Sequence, residues 1–137
     1  WQEALKKWRY YVINAPMQGY RTSDKAYQGK YSFCFQGTGK GFLHSPFFAV
    51  EPNKEYKLIF YGQGTVMQAE VFWWKKEGVE TDKEKFQKAQ LTRKQEKGGW
   101  TRYEAIVKSP ADARQSYVRL IAQGTAYVDE VSLISAE

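Results

Sequence analysis

The chain has 137 residues, with 21 Lys+Arg against 15 Asp+Glu, one His, one Cys, five Trp, ten Tyr and eight Phe. That length suits one domain over 1–137 and leaves little room for a second core. A hydrophobic content of 42% with 17% aromatics argues against disorder, and no apolar run approaches the roughly 20 residues a membrane-spanning helix needs. The solitary Cys34 excludes an intrachain disulfide and a CxxC metal site.

The net charge of +6 is concentrated in one stretch. Residues 75–102 hold nine Lys/Arg and five Asp/Glu, a surplus of four. The signs alternate there, as on a solvated loop or helix surface, whereas a nucleic-acid footprint is more often a one-sign stripe. No nucleic-acid partner is expected. Residues 1–10 carry Lys6, Lys7 and Arg9 with no apolar stretch behind them, so no secretory leader is expected there. The domain reads as one excised from a larger protein.

In chain order, period-two alternation marks a series of strands. Tyr31, Phe33 and Phe35 share a face, with Ser32 and Cys34 opposite. Gln36-Gly-Thr-Gly-Lys-Gly41 reads as a turn, and His44 falls in a second turn, Phe42-Leu-His-Ser-Pro46. After Glu51-Pro-Asn-Lys54, residues Tyr56, Leu58 and Phe60 oppose Lys57, Ile59 and Tyr61. In 66–75, Met67, Ala69, Val71 and Trp73 point one way, Gln68, Glu70, Phe72 and Trp74 the other. Residues 82–90 suit a short helix or a long charged loop. Tyr103, Ala105 and Val107 mark the next strand; Val118, Leu120 and Ala122 mark another, and 126–133 closes the series. Strands spaced by short polar turns predict an all-β fold, an antiparallel sandwich.

The second strand faces are not simply polar. They carry Tyr61, Gln68, Glu70, Phe72, Trp74, Arg102, Glu104, Tyr117, Arg119 and Ile121. Aromatics mixed with Gln, Glu and Arg suit a concave face that holds a ligand. The alternative is that 79–97 covers this face and makes a second small core. Catalytic chemistry finds little support. His44 has no second imidazole, Cys34 alternates with core phenylalanines, and phosphate-loop glycine patterns are absent. Glu70 and Glu104 are the best carboxylate pair, and two strand glutamates more often bind or form ion pairs than hydrolyse glycosides. No enzyme activity is expected.

Several strings then appear in a telling order. Gln28-Gly-Lys-Tyr-Ser-Phe33, Ser45-Pro-Phe-Phe-Ala-Val-Glu-Pro-Asn53 and Tyr56-Lys-Leu-Ile-Phe60 are followed by Val71-Phe-Trp-Trp74 and Gly99-Trp-Thr-Arg-Tyr103. Ser109-Pro-Ala111 and Ala126-Tyr-Val-Asp-Glu-Val-Ser-Leu133 complete the set. Across essentially the whole chain, this resembles carbohydrate-binding modules of the families four, nine, sixteen and twenty-two type. The resemblance implies a jelly-roll β-sandwich of two antiparallel sheets that binds a polysaccharide without chemistry. It also implies a covalently linked glycoside hydrolase in a secreted or cell-surface protein. A structural calcium is implied too, with Asp129 as its side-chain ligand and Gln2 where the family has a carboxylate.

Trp74 is the first ligand-binding candidate, in line with Gln68 and Glu70; a slip of one residue would put Trp73 in its place. Tyr61, Tyr117 and Arg119 follow, as non-core residues of strands in the same sheet. Trp8 and Trp100 match family positions, where such tryptophans form the ends of a cleft or plug the sandwich; for Trp100 plugging is the favoured role. Gln63 and Gln90 are rim contacts. Soluble β-glucan, xylan or mannan suits such residues, and Arg102 and Arg119 leave an acidic glycan open. The alternative function is a structural or protein-binding sandwich.

Overall fold

The structure, a computed structural model, describes residues 7–64 and 67–136. The opening segment with Gln2, and position 66 at the head of one expected strand, lie outside them. Thirteen strands and one 3-10 turn (Lys97–Gly99) make up the described chain, and no α-helix occurs among the described residues.

The front sheet runs β1 (Arg9–Asn14), β4 (Lys40–His44), β12 (Gln115–Gln123), β7 (Met67–Lys76). The short β5 (Phe48–Ala49) adds to β12, while β8 (Val79–Glu80) and β9 (Phe86–Lys88) both pair with β7. The back sheet runs β10 (Thr92–Gln95), β11 (Thr101–Lys108), β6 (Glu55–Gly64), β13 (Ala126–Ser135), β3 (Ser32–Gly37), β2 (Met17–Thr22). All pairings are antiparallel.

The core is what the alternation requires. Met67, Ala69, Val71 and Trp73 of β7 and Val118, Leu120 and Ala122 of β12 face Leu58 and Phe60 of β6 and Phe33 and Phe35 of β3. Trp73 is fully buried, and its neighbour Trp74 is on the outer face. Cys34 is a buried free thiol on the other parity of β3.

Two expectations are corrected. Residues 82–90 form neither a helix nor an uninterrupted loop: they hold β9, which with the preceding β8 extends the front sheet, and the following β10 joins the back sheet. The segment therefore runs along the side of the sandwich rather than over its face. His44 is not in a turn but ends β4, a strand that Gly41 and the glycines before it disguise. A Cβ at Gly41 would approach Tyr10 at 3.0 Å, so the small residue reflects close packing, not a reversal.

The packing makes a direct prediction about β7. Trp73→Ala removes a fully buried indole and is expected to cost about 3–5 kcal/mol in urea unfolding. Trp74→Ala should cost about 1 kcal/mol or less. Equal losses at the two positions would contradict this register.

Candidate functional site

The turn after β4 sets the front face. Ser45 donates its amide to the Val118 carbonyl at 2.9 Å, and its Oγ accepts the Val118 amide at 2.8 Å and donates to the Pro46 carbonyl at 2.9 Å. This clamp holds His44 and Phe47 against β12.

Across the outer face runs a row of rings standing on edge. Phe86 on β9 stacks on Phe72 of β7 at 5.3 Å between ring centres, Phe72 on Tyr117 of β12 at 4.6 Å, and Tyr117 on His44 of β4 at 4.2 Å. Interplanar angles of 22°, 5° and 17° leave the faces of Phe72 and Tyr117 covered on both sides. Trp74 and Phe47 break the pattern. Trp74 is nearly perpendicular to Tyr117 at 79°, Phe47 lies at 74° to Tyr117, and the two touch at 4.7 Å. Phe47 is 44% exposed. These two rings have faces outside the stack.

Polar groups accompany them. Gln68 and Glu70 stand on the same parity of β7 as Trp74, and Arg119 on β12 faces Glu70 across the ladder. Gln68, Glu70, Lys88, Gln90 and Arg93 line a groove of about 290 Å³. The structure thus brings Trp74, Gln68, Glu70, Gln90, Tyr117 and Arg119 to one side. Within that group Tyr117 is buried in the stack, and burial raises its hydroxyl pKa.

The remaining candidates lie elsewhere. Tyr61 belongs to β6 of the back sheet, and Tyr27 covers its ring at 3.9 Å and 11°. Trp100, 5% exposed, meets Tyr27 edge-on, and Gln63 donates to the Gly98 carbonyl at 3.2 Å. These three close the back sheet. Trp8 packs against the core and lines a crevice with Pro46, Phe48, Leu58 and Leu133, the plugging position of its two readings. Alternation reports which residues share a face of one strand; it does not report which sheet that strand joins. Glu70 and Glu104 show the same limit. Glu104 is on the back sheet, paired with Lys57 at 3.3 Å and Arg102 at 3.1 Å, so the two carboxylates cannot flank one bond.

Sequence reasoning missed His44, Phe42, Phe47 and Phe86 as face residues. All four sit in or beside short segments that read as turns or charged loop.

Asp129 is fully buried, and its carboxylate is engaged by backbone. Oδ2 accepts the amides of Tyr27 (2.7 Å) and Gln28 (3.1 Å), and Oδ1 accepts that of Glu130 (2.8 Å). Burial pushes its carboxyl above the ordinary range, against the opposing pull of those amides. These three backbone bonds fasten the 27–28 loop to β13, while Gln2, the other residue expected at a calcium site, lies outside the described residues.

His44 supplies a pH test. Burial lowers its pKa below 6.5; the Ser45 carbonyl, 2.6 Å from Nδ1, opposes this, and the charges of Arg119 and Arg9 reinforce it. Below the unfolded value of 6.5, the unfolded chain takes up a proton that the folded imidazole resists. This contribution to stability is therefore complete above that pH and is lost as pH falls toward the folded pKa. As the chain's one histidine, it should give a single imidazole NMR titration with a midpoint below 6.5. His44→Phe should flatten the loss of stability over that window. A midpoint at or above 6.5 would contradict the burial.

No family model and no curated protein matches the sequence. Solved structures do. One is the enzymatically active domain of bacteriophage CBA120 tailspike protein 4, at 12% identity and TM-score 0.72, over 98% of this chain and 20% of that one. Another is Clostridium thermocellum endo-1,4-β-D-xylanase 10B, its CBM22-1 and GH10 modules complexed with xylohexaose. It is 14% identical with TM-score 0.67, over 98% of this chain and 27% of that one. A third is the CBM22-1 xylan-binding domain of Paenibacillus barcinonensis Xyn10C, at 13% identity and TM-score 0.63, over 95% and 86% of the two chains. The chain thus spans about a fifth and about a quarter of the first two. At these identities the likeness is one of fold: this chain has the β-sandwich fold of carbohydrate-binding modules.

Proposed function

We propose that this domain is a non-catalytic carbohydrate-binding module that holds a polysaccharide across the outer face of its front sheet. The observation that carries this is the pairing of Trp74 and Phe47, ring faces free of the stack, with Gln68, Glu70 and Arg119 beside them. The C–H face of a pyranose packs on such a ring, while its hydroxyls need donors and acceptors at the ring's edge. Each sugar hydrogen bond replaces one to water and nets only about 0.5–1.5 kcal/mol, so affinity rests on several modest contacts.

A binding role without chemistry agrees with the separation of Glu70 and Glu104 onto opposite sheets. In a longer secreted or cell-surface protein, such a domain keeps an attached glycoside hydrolase on its substrate. The xylan-binding and xylanase-linked relatives in fold support that arrangement by analogy alone.

Affinity electrophoresis in gels holding soluble β-glucan, xylan or mannan, with an acidic polysaccharide lane, tests the reading. The wild type should be retarded by at least one of them. Trp74→Ala, which leaves the core intact, should bind about tenfold more weakly, the equivalent of about 1.4 kcal/mol. If none retards the wild type, the domain is a structural or protein-binding sandwich.

A further inference from the structure

One ladder row crosses the whole front sheet. Lys88 on β9 stands opposite Glu70 on β7, Glu70 opposite Arg119 on β12, Arg119 opposite His44 on β4, and His44 opposite Arg9 on β1. Directly opposed residues of antiparallel strands share a face. The five side chains therefore form one line, about 19 Å long at the usual ~4.8 Å strand spacing. It holds three fixed cations, one imidazole and a single carboxylate.

The cations of this line are not neutralised. Among the described residues the ion pairs fall elsewhere: Lys54–Glu51, Lys57–Glu104, Arg102–Glu104, and Lys75 with Asp82 and Asp112. Arg119 and Glu70, although opposed, form none. Rings hold the arginine instead, its Cζ 4.6 Å from the centre of Phe42 and 4.7 Å from that of Phe72. Its Nε is buried without a hydrogen-bond partner. A planar guanidinium fixed by aromatics and without a carboxylate partner suits a carboxylate or sulfate more than a neutral hydroxyl. Arg9 and Lys88, both exposed, continue the positive potential to the two edges of the sheet.

We propose that the glycan bound on this face is anionic, a polysaccharide whose sugars carry carboxylate or sulfate groups, with Arg119 as the central contact and Arg9 and Lys88 as flanking ones. This rests on the glycan-binding reading above. Glu70 accepts hydroxyls of the same sugars, and the Trp74–Phe47 pair lies beside the line.

The test measures binding to four polymers: polygalacturonic acid, its carboxyl-reduced neutral counterpart, a sulfated galactan, and single-stranded oligo-dT. Polygalacturonic acid or the sulfated galactan should bind at least about tenfold tighter than the neutral counterpart, and its binding should weaken as ionic strength rises. Which of the two binds identifies the anionic group. Arg119→Met should abolish the preference for the acidic polymer. The double variant Arg9→Gln/Lys88→Gln, which leaves the ring sandwich untouched, should reduce it even if Arg119→Met fails to fold. Equal affinity for the neutral counterpart overturns the proposal and leaves the glycan-binding reading standing. Binding of no polysaccharide at all, neutral ones included, overturns both. Oligo-dT binding as tight as the acidic polymer also overturns it, by showing a face that takes any polyanion.

Discussion

The pleat of β7 governs the rest of this structure. Two tryptophans stand side by side in its sequence, and a period of two sends Trp73 into the core and Trp74 to the outer face. Because β7 pairs with β12 and β9, the same parity fixes Phe72 against Tyr117 and Phe86, and Glu70 against Arg119 and Lys88. A slip of one residue would bury Glu70 and Trp74 and expose Val71 and Trp73. The cost of burying that carboxylate and exposing that indole is what makes the register unique.

Aromatic abundance alone would suggest a broad stacking platform, and the ring geometry argues otherwise. Phe86, Phe72, Tyr117 and His44 are stacked on one another, so the row turns ring edges outward. Edges carry the positive rim of the ring quadrupole and offer little to a sugar's C–H patch. The row works as a rigid spine. It holds Arg119 beside Phe72, and it leaves the transverse rings of Trp74 and Phe47 outside the stack, where the proposed sugar contact is placed.

Much of this was legible in the sequence, within a definite limit. The long strands β6, β7, β11, β12 and β13 alternate cleanly, and their core residues are the ones alternation selects. The hairpin around Gly37, Gly39 and Gly41 hides β4, because glycines placed for close approach look the same as glycines placed for a turn. Phe86 lies in a three-residue strand within a mixed-charge stretch and shows no period at all. Tyr61 and Trp74 are both outward residues of clean strands, yet they end on opposite sides of the molecule. Only strand order separates them, and strand order is set by pairings between segments distant in sequence.

The two outer faces then differ in a way that explains why the ligand is assigned to the front. On the back sheet, the Asp129 carboxylate binds the amides of Tyr27 and Gln28, and the loop so fastened lays Tyr27 over Tyr61. Charge is paired there as well, with Lys57 and Arg102 both on Glu104. On the front sheet the row Arg9, His44, Arg119, Glu70 and Lys88 carries no ion pair among the described residues. Phe47 and Phe86 stay largely exposed, and Arg119 is steadied by rings in place of a carboxylate. A guanidinium left without an anionic partner costs desolvation and returns little stability to the fold alone. The acidic glycan proposed above supplies the negative charge that this face lacks.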